Sequence, residues 1–392
     1  MNDLNLIAIE NLREYLRIPS VHPNVDYEPC VVFLEELAKN IGLDVDVYRV
    51  LPNKPVVILT WIGTQPYLPS IMLNSHMDVV PVFEKYWVHN PFGGILDDGK
   101  IYGRGAQDTK GLGIQYLEAI RRLKRKGFQS KRTVHITFVP DEEMSGVDGM
   151  KRFVQTKFFQ NLNIGFAMDE GGIGHDNQLI VFNAQKRAWK FEIHCTGQSG
   201  HSSKLLNNTP GKKISYMLNK VYEYRSKLKL LQKNKATGDV SSINLTIIKG
   251  GLQINMIPAE FVLVFDNRIT LEDFEEFEKT LRQWCLDAGE GVTIKDIIKD
   301  SKWPLTKLDK TNAYWVALQR AIKKRGMELV SKTLFATSDA RYLQAKGIPA
   351  LGFSPNSNME IKIHGNNEYT TIDSFLNGIK ILMDVIIEIT NV

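Results

Sequence analysis

Several apolar runs in this sequence stop at groups that can bind metals or move protons. IMLNSHMD closes on His76 and Asp78, ITFVPDEE on Asp141, Glu142 and Glu143, and IGFAMDE on Asp169 and Glu170. Between the first two, IYGRGAQDTKG places Asp108 in a glycine-rich loop ahead of a helical stretch, and far downstream IKIHGNNE places His364 in a loop. Singly, each has an ordinary reading, since a strand-end acid commonly caps a helix or faces water. Together they form a ligand set suited to zinc or a similar divalent ion, because converging carboxylates repel unless a cation sits among them. In His76-x-Asp78 the two side chains share one face of a strand. Asp78 is therefore expected near the histidine or a water on the metal, holding the imidazole or a neighbouring acid in place. Glu142 and Glu143 are adjacent and must point different ways. One can bind metal while the other takes a proton from water, which is the division that metal-assisted hydrolysis requires.

The elements that must position these groups follow from periodicity. IAIENLREYLRI and EPCVVFLEELAKNIG have helical apolar spacing, the second stopping at Gly42. DVDVYRV, PVVILTWIG, PSIMLNSHMD, RTVHITFVPD and NIGFAMDE read as strands, with helices expected at 109–126 and over GMKRFVQTKFFQ. Apolar strands separated by helices argue for an α/β fold with a mainly parallel sheet covered on both faces. Polar residues at the carboxyl ends of such strands lie where sites form.

From about residue 188 the pattern changes. WKFEIHC alternates like a half-exposed strand, PGKKISYMLNKVYEYRSKL is helical, and SSINLTIIKG and EFVLVFDNRI are strands. TLEDFEEFEKTLRQWCLDAG is an amphipathic helix with Thr270 as expected N-cap and Gly289 as stop, and GVTIKDIIK is a last strand. That β-α-β-β-α-β order is the split βαβ, or ferredoxin-like, unit. Three segments are thus expected: an outer domain over 1–187 and 303–392, interrupted by an α+β domain at 188–302.

Bulk composition narrows the function classes. The chain has 392 residues, 43% hydrophobic and 24% charged, enough for two packed domains. A net charge of +5 over this length does not argue for nucleic acid or an anionic membrane. The basic run RRLKRKGFQSKR reads as cations at a helix C-terminus stopped by Gly127. Cys30, Cys195 and Cys285 are odd in number and far apart, so no disulfide framework or CxxC metal knuckle is expected. No apolar stretch has spanning length and the first residues lack a signal-peptide pattern, so a cytoplasmic protein is expected.

SHMDVVP, GRGAQDTKG, PDEEMSG, MDEG, TGQSGHSS and HGNNE together resemble the two-metal aminoacylase/carboxypeptidase family of zinc peptidases, and most of all its N-acyl-L-amino-acid amidohydrolases. WVHNPFGG, SSINLT, IPALGFSP and LRQWCLDAGEGVT extend the likeness over nearly the whole chain. The resemblance implies two zinc ions per subunit, with His76 on one, His364 on the other and Asp108 bridging. It implies that Glu143 and Glu170 each complete one set, that Glu142 is the general base and that Asp78 is its supporting acid. It further implies that the inserted domain is a lid and homodimer surface, whose His201 stabilises an oxyanion in a neighbouring subunit. Asn255, Arg268 and Arg341 match residues that hold the substrate's carboxylate side. Ser202 in GHSS and the variant TSDAR depart from the family's usual residues without removing a functional group. The implied substrate is a small N-acyl amino acid, with a dipeptidase or carboxypeptidase of the same family as the alternative.

Overall fold

A computed structural model describes residues 3–392, which form two compact units. Among the described residues, the first comprises those up to Asn183, Trp303–Lys332 and Ser338–Val392, and the second Ala184–Lys302 with Thr333–Thr337.

The first unit is built on an 8-stranded sheet with the order Asp44–Leu51, Lys54–Trp61, Val134–Val139, Ser70–His76, Ile164–Asp169, Ala350–Phe353, Gln178–Gln185, Glu328–Leu334. The strands Val134–Val139, Ser70–His76, Ile164–Asp169 and Ala350–Phe353 run parallel, whereas Lys54–Trp61 and Gln178–Gln185 join them antiparallel. The sheet is therefore mixed, with the expected parallel pairing confined to its centre. Alternation along each strand divides the core into two layers. Leu73, Ile136, Phe166 and Leu351 pack with helices Asp3–Leu16, Glu28–Ile41, Lys110–Arg125 and Ile372–Thr390 on one face. Met72, Val139, Ala167 and Ala350 pack on the other with Met150, Phe153, Phe159 and Leu343. Burial on both faces explains why Ser70–His76 and Val134–Val139 are buried throughout and read as continuous apolar runs.

Two local expectations change. GMKRFVQTKFFQ is not one helix but two short ones, Met150–Phe153 and Lys157–Asn161. Thr156 starts the second by accepting the Phe159 N–H at its side chain, an interaction that competes with helix continuation. The helix expected from Thr270 begins later, at Phe274, with Thr270 Oγ1 instead accepting from the Asp273 N–H.

The second unit has a 4-stranded antiparallel sheet ordered Ser242–Gly250, Glu260–Ile269, Arg187–Thr196, Val292–Lys299, with helices Pro210–Leu231 and Phe274–Asp287. In chain order this is β-α-β-β-α-β, and Trp189, Phe191, Leu263, Phe265, Met217 and Phe277 form its core. Among the described residues no helix is long and apolar enough to cross a membrane.

Candidate active site

Because the central strands are parallel, their carboxyl ends meet at one edge. His76 is the last residue of its strand and pairs with Val139, just ahead of Asp141, Glu142 and Glu143. A polar strip crosses the sheet beneath them. Thr137 Oγ1 donates to Asn74 Oδ1 at 2.7 Å, Asn74 Nδ2 donates to Asp169 Oδ1 at 2.9 Å, and Asp169 Oδ2 accepts the Ala340 N–H at 2.6 Å. These bonds fix the strand ends relative to one another and make the Asp169 that precedes Glu170 a structural acid.

Two sets of ligand-type atoms converge there. His76, Asp108 and Glu170 form one, and Asp108, Glu143 and His364 the other, each with its atoms within 4.8 Å of one another. His76 is 2% exposed. Its Nδ1 lies 2.8 Å from the Asp78 carbonyl oxygen, to which it must donate, so the second nitrogen carries the lone pair. That Nε2 lies 3.0 Å from Asp108 Oδ1 and 3.6 Å from Glu170 Oε2. In the second set His364 Nε2 is 3.1 Å from both Asp108 Oδ2 and Glu143 Oε2. Lone pairs so placed repel unless a cation or a proton stands among them. Burial, and then the charge of Asp108, push both Glu143 and Glu170 above the ordinary glutamate value. This chemistry fits two divalent ions sharing Asp108.

Glu142 stands apart. It is buried, yet among the described residues its carboxylate has no hydrogen bond or ion pair, while Glu143 faces His364. Burial, and then repulsion from Glu170, raise its proton affinity well above the ordinary value. The two glutamates lie in a single 3-10 turn, Glu142–Met144, flanked by Asp141 at φ 61° and Ser145 at φ 70°. Non-glycine residues rarely adopt that left-handed region, and this turn is held by side chains. Asp78, wholly buried, accepts the Glu142 N–H at Oδ1 (3.2 Å) and the Glu143 N–H at Oδ2 (3.0 Å). Asp78 thus acts through its carbonyl on His76 and through its carboxylate on the main chain of both glutamates. Burial disfavours its charge, but hydrogen bonds from His22 and His76 outweigh burial and hold it well below the usual carboxylate range.

Glu368, which closes HGNNE, carried no role in the sequence reading. It is 0% exposed and accepts from Arg104, Gly105, Gln107 and Asp108. It therefore organises the loop that delivers Asp108. The only sequence sign of it was an acid at the end of a glycine- and asparagine-rich loop. Asp339 was also missed. Burial, and then Asp169, push it up to about 8.

Arg341 is 1% exposed and donates to the main-chain oxygens of Ser338 and Ser145, at 2.6 and 2.8 Å. It braces the end of the glutamate turn. In the second unit, His201 pairs with Met256 in a two-stranded ribbon, and the exposed Asn255 accepts the Ser202 N–H at its main-chain oxygen. His201 Nδ1 accepts the Ser203 N–H at 3.2 Å, which leaves the proton of a neutral ring on the exposed Nε2. Arg268 Nε donates to Asp266 Oδ1 at 2.9 Å, one terminal nitrogen to Thr337 Oγ1 at 3.0 Å and the other to Asp266 Oδ2 at 3.4 Å, with the side chain 26% exposed.

Comparison with known proteins places these observations. Residues 72–388 match peptidase family M20/M25/M40. The chain is 42% identical to Aminoacylase-1 of Sus scrofa over 389 residues, covering 98% of this chain and 96% of that one. It is also 42% identical to Aminoacylase-1 of Homo sapiens, covering 95% and 93% respectively. Among solved structures, an M20 family metallo-carboxypeptidase from Sulfolobus solfataricus superposes with a TM-score of 0.79 over 100% of both chains at 19% identity. Human carnosine dipeptidase 1 does so with a TM-score of 0.71 over 99% of this chain and 97% of that one, at 16% identity. These two likenesses speak to the fold alone.

Proposed function

The chain belongs to peptidase family M20/M25/M40, and from that premise we infer that it is a metal-dependent amidohydrolase that cleaves N-acyl-L-amino acids to a carboxylate and a free L-amino acid. The observation that carries the chemistry is the pair Glu142 and Glu143: neighbours in one turn, one carboxylate against His364 and the other uncommitted. The substrate class is supported by 42% identity to aminoacylases over nearly full length.

His76, Asp108 and Glu170 would hold one divalent ion, and Asp108, Glu143 and His364 a second. We assign these as zinc, which mixed imidazole and carboxylate donors suit, although cobalt and manganese accept the same donors. When bound, such ions supply Lewis acidity that polarises the scissile carbonyl and acidifies water. The chain's own side chains move the proton and orient the substrate. Glu142 takes a proton from the attacking water at its free carboxylate and returns it to the leaving amine nitrogen, and its raised proton affinity suits both transfers. Asp78 keeps the glutamate turn and the His76 ring in register. His201 offers its Nε2–H to the developing oxyanion in a neighbouring subunit. Arg268, with open N–H groups, binds the substrate carboxylate together with Asn255. Arg341, bound to main-chain carbonyls, is a positioning residue. In this reading the second unit serves as lid and homodimer surface, and the enzyme works in the cytoplasm on a small-molecule substrate.

The test is a comparison of zinc-loaded protein on N-acetyl-L-methionine and on simple unblocked dipeptides. A higher kcat/KM on the acylated amino acid is expected. A preference for dipeptides would move the protein to the dipeptidase reading.

A further inference from the structure

A third group of ligand-type atoms lies behind the glutamate turn, where His22, Asp78 and Asp141 fall within 4.8 Å of one another. Its partners argue against a metal. Asp141 Oδ1 accepts from the Tyr27 hydroxyl at 2.7 Å and from Lys54 Nζ at 2.8 Å, and Oδ2 lies 2.7 Å from Lys54. Asp78 is taken up by the two glutamate N–H groups. A cation is already in place, and the carboxylate lone pairs face donors.

His22 is what remains, and it belongs to none of the motifs that mark the site. Its side chain is 9% exposed, with Nε2 2.9 Å from Asp78 Oδ2 and 3.9 Å from Asp141 Oδ1. Its main chain is tied to the same loop, since the His22 N–H donates to the Val79 carbonyl and the Val79 N–H to the Ser20 carbonyl. The chain before the second helix is thus fastened beside Asp78, with the imidazole directed at the oxygen that also holds Glu143. We propose that His22 is a positioning residue for the reaction: its Nε2–H orients Asp78, and through Asp78 the main chain of Glu142 and Glu143. This rests on the amidohydrolase reading only for its kinetic consequence.

The charged groups facing His22 are Asp78, Asp141 and Lys54, from three different segments. Burial and Lys54 oppose its protonation, but the hydrogen bond to Asp78 and the charges of Asp78 and Asp141 outweigh them, so it titrates above the ordinary histidine value. Below that point the bond joins two opposite charges. Above it a neutral N–H faces the Asp78 carboxylate, and the bond weakens.

The test uses zinc-loaded full-length protein with His22→Leu and His22→Gln. Leucine removes the donor, and kcat on N-acetyl-L-methionine should fall about tenfold, the low end for loss of a group that orients active-site residues. KM and zinc content should stay unchanged, while Tm falls modestly because buried Asp78 loses a partner. Glutamine restores a donor that does not titrate, so it should recover most of kcat while losing the alkaline step that His22 imposes on the pH profile. Independently of any activity, the Glu142 and Glu143 amide resonances of the wild type should shift with the His22 titration in NMR spectra, and in His22→Gln that shift should vanish. Wild-type kcat in His22→Leu, a loss matched by lost zinc, a loss that His22→Gln does not recover, or amide shifts indifferent to His22 would each overturn the proposal. An inactive wild type whose amides still follow His22 would instead refute the substrate reading and leave the positioning role standing.

Discussion

The two halves of the candidate metal centre share Asp108 and differ in how the fold builds them. His76 ends a fully buried strand, is 2% exposed, and has its ring fixed through Nδ1 by the main chain two residues on. His364 sits in a loop at φ 59°, its side chain 51% exposed and facing Asp108 and Glu143, with its carbonyl oxygen accepting from Arg104. One half is preorganised by the sheet and the other by its own ligands. A site of the first kind should hold metal tightly and support the fold. One of the second kind should exchange metal more readily and matter little to stability.

The largest effect expected belongs to neither half. Glu142→Gln keeps every metal donor and removes the proton carrier, so kcat should fall by about 10² to 10⁴ with zinc content unchanged. Near-normal turnover would remove Glu142 from the role of base.

Next come the two histidines, whose replacement sharpens the contrast directly. His76→Ala leaves the Asp78 carbonyl and the Glu170 carboxylate without a partner in a buried place and Asp108 facing His364 alone. It should lower stability by roughly 1–3 kcal/mol along with metal content. His364→Ala also strips Asp108 and Glu143 of a partner, but at a more exposed place, so it should cost less stability than His76→Ala while removing one zinc equivalent. Thermal melts with metal analysis would check both, and equal losses of stability would erase the distinction.

The smallest effect is graded with pH. In the metal-free protein His364 is pushed up to about 10 by Asp108 and Glu143. Burial opposes protonation of His76, but Asp108, Asp78 and Glu170 outweigh it and raise it too. His364 therefore holds a proton at neutral pH that metal must displace, and the raised proton affinity of His76 makes protons compete with metal there too. Since a raised value means a proton bound below it, zinc affinity should weaken as pH falls, by up to about tenfold per unit for each imidazole. The exposed His364 half should empty first. Zinc competition titrations at pH 6 and 8 would show this, and pH-independent affinity would contradict it.

Much of this arrangement was legible in the sequence, for a definite reason. His76, Glu142-Glu143 and Glu170 each follow an apolar run, and parallel strands bring such ends together. The inserted unit was legible because half-exposed strands alternate. What escaped were interactions routed through the main chain. Nothing in HMD tells that Asp78 receives the N–H groups of residues 64 and 65 positions away. Nor does HGNNE reveal that Glu368 gathers N–H groups from the Asp108 loop. His22 lies outside every motif, and its proximity to Asp78 exists only in the fold. The strands Gln178–Gln185 and Glu328–Leu334 were missed because they lie toward one edge of the sheet, partly exposed, where the apolar pattern weakens.

The proposed amide hydrolysis depends on metal held by His76, Asp108, Glu143, Glu170 and His364. The most direct measurement is turnover of N-acetyl-L-methionine by the purified protein before chelation, after exhaustive chelation, and after zinc is returned. Activity should disappear with the metal and come back with it. Undiminished turnover in the chelated, metal-free protein would contradict the claim.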